Sequence, residues 1–137
     1  MKLVSSCLAG VNCKYNGGNN ANEKVIALVK GGKAIHVCPE QLGGLPTPRE
    51  VREIKDGKVV TKSGVDETAG LKKGAVETLR IAKEAGVTEA ILKARSPSCG
   101  KGKVYDGSFS GKLVEGNGVT TELLLKNGIK IVTEEEI

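Results

Sequence analysis

Short runs of apolar residues alternate along the chain with segments in which apolar residues recur every three or four positions. The first pattern is typical of buried strands, and the second is typical of helices that pack one face against a core. Stretches rich in glycine, asparagine, proline and serine separate the two kinds of segment. Together they predict strands over residues 2–6, 34–37, 89–94 and 129–133, and helices over about 22–30, 66–85 and 119–126.

The order of these elements predicts the fold class. Strands that alternate with helices indicate a mostly parallel sheet flanked by helices, a Rossmann-like or flavodoxin-like α/β fold. Residues 50–62 add a β-hairpin insertion, because two β-rich runs flank the turn signal Asp56-Gly57. Residues 39–49 and 95–117 are predicted to be irregular. The 137 residues suit one domain, 1–137, with no repeat or linker.

Composition narrows the class of function. The formal net charge is +5, the basic residues are dispersed, and only three side chains are aromatic, so a nucleic-acid surface with stacking platforms is not expected. The N-terminal residues show no apolar core of a signal peptide, and no run approaches the roughly 18 apolar residues of a membrane span. We therefore expect a cytoplasmic protein without a membrane partner, whose thiols stay reduced.

The four cysteines are the main candidates for chemistry. Cys7 and Cys38 end the first and second predicted strands, and Cys99 lies five residues after the third strand ends at Ala94. The carboxyl ends of parallel strands meet at one edge of the sheet, where open α/β sheets bind ligands. These three thiols should therefore share a site, and Cys13, in the first loop, lies on the same side.

The spacing of the cysteines leaves three kinds of site to compare. Structural zinc uses four ligands, which normally come in closely spaced pairs that this chain lacks. A thiol redox site remains possible, although no pair forms the Cys-x-x-Cys pattern. Iron–sulfur clusters accept thiolates from scattered loops, and three thiolates leave one iron open to an outside ligand. The spacing favours the cluster.

Four sequence motifs, in order, resemble the thiouracil desulfidase family, formerly a bacterial and archaeal domain of unknown function. The motifs are Ser6-Cys7-Leu8-Ala9-Gly10 with Tyr15-Asn16-Gly17-Gly18, then Cys38-Pro39-Glu40 with Gly43-Gly44-Leu45-Pro46-Thr47-Pro48-Arg49, then Lys93-Ala94-Arg95-Ser96-Pro97-Ser98-Cys99-Gly100, and Val104-Tyr105-Asp106-Gly107-Ser108-Phe109-Ser110-Gly111. The resemblance extends from residue 2 to about residue 133, nearly the whole chain.

The resemblance implies an enzyme with a [4Fe-4S] cluster, which aerobic preparation can remove. It assigns the cluster to Cys7, Cys38 and Cys99 and makes Cys13 the weakest candidate for a ligand. The fourth iron is expected to take the sulfur from a small thiolated base or nucleoside such as 2-thiouracil, with release of hydrosulfide and no net redox change. Catalytic roles fall on Glu40 and Ser96.

The residue types suit these roles. Glu40, two residues after Cys38, can activate water and pass protons, and Ser96 can hydrogen-bond the ring of a bound base. Two other classes of function stay open at this point. A carrier of iron, sulfur or electrons needs the thiols but not Glu40 or Ser96, and a structural zinc module would use all four cysteines. Iron and labile sulfide content would separate the three.

Overall fold

Four parallel strands form the central sheet in the computed structural model, which describes all residues from 1 to 137. The strands of the protein are β1 (Lys2–Ser5), β2 (Ala34–Val37), β3 (Arg52–Lys55), β4 (Lys58–Thr61), β5 (Glu89–Leu92), β6 (Lys103–Tyr105), β7 (Leu113–Glu115) and β8 (Lys130–Thr133). The helices are α1 (Glu23–Lys30), α2 (Pro39–Leu42), α3 (Thr68–Glu84) and α4 (Val119–Lys126). The sheet order is β2-β1-β5-β8, which confirms the predicted parallel α/β architecture.

The inner strands are buried on both faces, as parallel sheets usually are. Leu3 and Leu92 belong to a core cluster with residues of α3 and α4, whereas Val4 and Ile91 belong to a second cluster with Val25 of α1. Because successive side chains of a strand point to opposite faces, each short strand contributes to both layers. Two helices thus cover one face of the sheet, and α1 covers the other.

Two antiparallel hairpins lie outside the central sheet. The first, β3–β4, confirms the predicted insertion, with positive φ angles at Asp56 (51°) and Gly57 (76°) as a type I′ turn requires. The second, β6–β7, lies within residues 95–117, so the prediction that this segment is irregular throughout was wrong. Its two strands have only three residues each. Runs this short are not recognisable as strands in a segment dominated by glycine and serine.

The prediction for residues 39–49 was also wrong in part, because this segment begins with the short helix α2. Proline at the first helical position is compatible with a helix start, since its missing N–H would have no partner there anyway. Glycines let α2 lie directly against α3: a Cβ on Gly74 would come within 1.8 Å of the Pro39 carbonyl oxygen, and one on Gly43 within 2.0 Å of the Gly70 oxygen. Gly74 and Gly43 therefore allow the close approach that places α2 on α3.

The remaining boundaries agree closely with the sequence. Asn22 caps α1 by accepting hydrogen bonds from the backbone N–H groups of Lys24 and Val25. The long helix α3 ends before Gly86, whose φ of 67° is the left-handed conformation expected just after a helix. One apolar side chain of α3, Val76, is exposed to solvent. None of the helices is long and apolar enough to span a membrane.

Candidate functional site

A cavity of about 280 Å³ lies at the carboxyl ends of β1, β2 and β5. The chain passes from β1 to β2 on one side and later to β5 on the other, so the cavity lies at the topological switch point of the sheet. Its walls contain every residue singled out in the sequence: Cys7, Cys13, Cys38, Cys99, Glu40 and Ser96. The expectation that thiols from separate strands converge at one edge is therefore confirmed.

Cys7 is held by the turn that follows β1. The 3-10 helix Ser6–Ala9 ends at Gly10, whose φ of 90° closes the turn, and the backbone N–H of Asn20 donates to the Cys7 carbonyl at 2.9 Å. Burial raises the pKa of the Cys7 thiol, while a hydrogen bond from the Asn20 side chain and the positive charge of Lys93 oppose that rise. The pKa of Cys7 stays above its ordinary value, so this thiol ionises when a cationic partner is present.

Cys38 and Cys13 form a pair of thiols with opposite protonation preferences. Cys38 occupies the N-cap position of α2, and its Sγ lies 3.9 Å from the Cys13 carbonyl oxygen. Interaction with the Cys13 thiol, aided by the backbone N–H of Gln41, lowers the pKa of Cys38 to about 6. The same interaction raises the pKa of Cys13, because the thiol that donates must keep its proton. The interaction between the two thiols therefore favours the thiolate at Cys38 and the protonated form at the buried Cys13.

Cys99 lies in a loop that is packed against the start of α4. The Thr121 hydroxyl donates to the Cys99 carbonyl at 2.7 Å, and the Thr120 N–H donates to the Ser98 carbonyl at 2.9 Å. Gly118 is required there, because a Cβ would lie 2.4 Å from the Ser98 carbonyl oxygen. Burial raises the pKa of Cys99 to about 12, partly offset by a hydrogen bond from Ser5, so this thiol ionises only with a cationic partner.

The hydroxyl of Ser96 orders the same loop. Its Oγ accepts the backbone N–H groups of Ser98 at 3.1 Å and of Cys99 at 3.0 Å. A hydroxyl has two acceptor lone pairs and one donor hydrogen, so these bonds leave the hydrogen free to donate. Since Ser96 lines the cavity, that hydrogen is available to a bound molecule. Ordering the loop and binding a substrate are therefore compatible roles for Ser96.

Glu40 lies between two buried guanidinium groups. Its Oε2 accepts from Arg49 Nε at 2.8 Å and lies 3.6 Å from Arg52 Nη1, and the two arginine side chains are only 4% and 3% exposed. Both contacts are made by Oε2, which leaves Oε1 without a protein partner. Glu67, 3.0 Å from Arg52, supplies a second carboxylate that balances the charge. Glu40 is therefore a side chain held in a fixed position with one oxygen free.

The donor set fits an iron–sulfur cluster better than a single ion. No three His, Cys, Asp or Glu side chains converge closely enough to hold one metal ion. The thiols instead stand around a cavity, as ligands from scattered loops do around a cluster. The cations Arg49 and Lys93 face the same space, and positive charge lowers the cost of gathering thiolates beside an anionic cluster.

Comparison with known proteins decides the family. The family model for 2-thiouracil desulfurase matches residues 3–136. The chain belongs to the 2-thiouracil desulfurase family. A Bacillus subtilis (strain 168) protein described as uncharacterized, YbbK, is 48% identical over all of this chain and 97% of its own length. The solved structure of the [4Fe-4S]-dependent thiouracil desulfidase TudS is 41% identical, with a TM-score of 0.93 over 98% of this chain and 91% of that chain.

For this desulfurase-family chain, the resemblance noted in the sequence and the α/β fold are thus confirmed. The assignment of particular cysteines as ligands, and of Glu40 and Ser96 as catalytic groups, stays a prediction. The structure adds residues that the sequence reasoning passed over, above all Arg52 and Lys93. Lys93 directly follows β5, so the rule that placed the cysteines would have found it. Arg52 lies in a hairpin strand, where an arginine is expected in solvent, and only the fold reveals its burial.

Proposed function

We propose that this protein removes sulfur from a small thiolated base or nucleoside by hydrolysis of its C=S bond. Water adds its oxygen to the carbon, the C–S bond breaks, and the sulfur leaves as hydrosulfide with a proton released, so that no electrons are gained or lost. The observation that carries this proposal is the presence of a carboxylate and a free hydroxyl hydrogen on the wall that also holds three strand-end thiols. A carrier protein would need only the thiols.

Cys7, Cys38 and Cys99 are proposed to hold a [4Fe-4S] cluster. Each follows a different strand of the sheet, and the solved structure of TudS is described as [4Fe-4S]-dependent. When bound through three thiolates, such a cluster supplies an iron with an open position that acts as a Lewis acid toward sulfur. Cys13 is proposed to stay protonated and to donate to Cys38, which is a supporting role and not that of a ligand.

Glu40 and Ser96 are proposed to act on the substrate itself. Glu40 Oε1 has no protein partner and can accept a proton from water as its oxygen attacks the thiocarbonyl carbon. The Ser96 hydroxyl, whose lone pairs are both occupied, can donate to a ring nitrogen or exocyclic oxygen. Arg49 keeps Glu40 oriented, so the water and the ring meet in a defined geometry.

The chemistry also supports a cytoplasmic location. Thiolates and clusters with an open iron persist where thiols are kept reduced, as they are in the cytosol. All four cysteines are free, with no disulfide between any two of them. Localisation of a fluorescently tagged protein in living cells would check this, and recovery in the periplasmic or external fraction would contradict it.

The test of the function is sulfide release under anaerobic conditions. Protein reconstituted with iron and sulfide to full occupancy is incubated with 2-thiouracil, and hydrosulfide and uracil are measured together. The proposal expects equal amounts of both products, and none from cluster-free protein. Fully loaded protein that releases no sulfide from any thiolated base would contradict the enzyme and favour the carrier, which would instead pass its cluster to an acceptor protein.

A further inference from the structure

The aromatic residues of this chain are few, and their positions are uneven. The sequence holds two tyrosines, one phenylalanine and no tryptophan. Neither core cluster contains an aromatic side chain. Both tyrosines, Tyr15 and Tyr105, line the cavity that holds the cysteines. Large rings normally contribute to the core, so their placement in this cavity indicates a role in contacting what binds there.

Tyr15 reaches the cavity from the loop between the first 3-10 helix and α1. Its carbonyl accepts the backbone N–H of Arg49 at 2.7 Å, so the loop is anchored beside the Glu40 pair. The residue is 45% exposed, and the ammonium of Lys14 lies 5.9 Å from its ring centroid. Tyr15 is therefore an accessible ring on an anchored backbone and not a packing residue.

Tyr105 reaches the same cavity from another part of the fold. It ends β6, pairs with Leu113 of β7, and follows Val104, which bridges to Arg95 beside the Cys99 loop. The ring is half-buried, and its hydroxyl makes no hydrogen bond to the protein. Two rings from unrelated segments thus border one cavity, with their polar tips unpaired.

We propose that Tyr15 and Tyr105 provide the ring surfaces that select a planar heterocycle as the substrate. This inference rests on the proposed function and deepens it, because it restricts the substrate to aromatic thiocarbonyl rings over acyclic thioamides. A base has a flat π-face that stacks on an aromatic side chain, whereas thioacetamide offers no such ring. Loss of one stacked ring should weaken binding by about 5- to 150-fold.

The experiment measures binding and turnover separately. Uracil, the product ring, is titrated calorimetrically into cluster-loaded protein, and kcat and KM are measured with 2-thiouracil and thioacetamide. Tyr15→Ala and Tyr105→Ala should raise the Kd for uracil and the KM for 2-thiouracil about 10-fold at equal iron content, and should lower the preference for 2-thiouracil over thioacetamide. Tyr15→Phe and Tyr105→Phe keep the ring and should recover most of the affinity.

Phe109→Leu is the matched control, because Phe109 is the remaining aromatic residue and lies outside the cavity wall. It should leave the Kd for uracil within about twofold of wild type, a smaller change than the one expected when a stacked ring is lost. Uracil binding that is equal in both alanine variants and wild type would overturn the inference, as would failure of wild type to bind uracil at all.

Two further outcomes keep this inference separate from the proposed function. If uracil binding depends on the rings but no sulfide is released, the base-binding role of the tyrosines stands and the proposed desulfurising activity is contradicted. If both alanine variants release sulfide with unchanged substrate preference, the activity stands and the proposed role of the tyrosines is contradicted. If an alanine variant fails to load iron, the test uses the tyrosine fluorescence of wild type, to which no tryptophan contributes. Uracil stacked on the tyrosines should quench this emission, and emission that stays unquenched at saturating uracil would overturn the inference.

Discussion

Arg49 joins Glu40 to the loop that carries Cys13. Its Nε donates to Glu40 Oε2 at 2.8 Å, and its Nη2 donates to the Cys13 carbonyl at 2.9 Å. A third contact, from Nη1 to the Thr47 hydroxyl at 2.9 Å, fixes the direction of the guanidinium. One side chain thus sets the distance between the proposed proton acceptor and the thiol pair.

The first prediction is that Arg49 acts as a positioning residue. Arg49→Ala should lower kcat by about 10- to 100-fold with little change in KM, because Glu40 loses the contact that directs its free oxygen. Arg49→Lys keeps the charge but cannot donate to three acceptors in one plane, so its kcat should lie between those of wild type and Arg49→Ala. Steady-state kinetics at equal iron content measure this effect.

Arg80→Ala is the control for this prediction, because Arg80 pairs with Glu77 and Glu84 on the exposed side of α3. It should leave kcat unchanged. A kcat for Arg49→Ala equal to that of wild type would show that Glu40 is oriented without the arginine.

The second prediction separates the enzyme from the carrier. Glu40→Gln should bind the cluster as wild type does, since the amide keeps the shape of the side chain. It should lose about 10²–10⁴-fold in rate, because the amide cannot accept a proton from water. Iron and labile sulfide are measured beside hydrosulfide release from 2-thiouracil.

Glu67→Gln is the matched control, because Glu67 pairs with the same buried Arg52 but lies outside the cavity wall. It tests whether loss of a charge near the arginines is enough to reduce activity. Equal loss in both variants would assign the effect to the arginine cluster and not to proton transfer by Glu40.

The sequence was sufficient to predict where the candidate site lies in the fold, but not which of its side chains contact one another. The rule that carboxyl ends of parallel strands meet at one edge brought Cys7, Cys38 and Cys99 together, and the structure agrees. It could not show that Cys13 and Cys38 interact, because a loop of glycine and asparagine has no periodic pattern to fix its path. The same applies to the pairing of Arg49 with Glu40, because they lie nine positions apart in a segment predicted to be irregular.

The two wrong predictions of secondary structure, for residues 39–49 and 95–117, have the same cause. Helix α2 has four residues and strands β6 and β7 have three each, too short for a periodic pattern to develop. Tertiary contacts determine these elements instead. Glu53, buried in β3, accepts the backbone N–H groups of Gly107 and Phe109 at 3.0 Å each, and so ties the second hairpin to the first.

The third prediction concerns the number of cluster ligands. Cys13→Ser should keep most of the iron, because a hydroxyl can still donate to the Cys38 thiolate, whereas Cys99→Ser should lose it. Both proteins are reconstituted anaerobically, and iron and labile sulfide per chain are measured after gel filtration. Equal loss of iron in the two variants would indicate a site of four thiolates, which would close the open iron position and weaken the case for an enzyme.

The last prediction concerns the contact that places α2, and with it Cys38 and Glu40. Gly74→Ala would put a Cβ 1.8 Å from the Pro39 carbonyl oxygen, a backbone atom that can move only if α2 moves. Overpacking of this kind costs about 1–3 kcal/mol, so both the free energy of unfolding in urea and the retention of iron should fall. Gly70→Ala is the matched control on the same helix, because its Cβ meets the flexible Leu45 side chain, with Cδ2 at 3.3 Å. There the better helix propensity of alanine should offset most of the crowding. If Gly74→Ala were as stable as Gly70→Ala and held as much iron, the close packing of α2 on α3 would not be what positions Cys38.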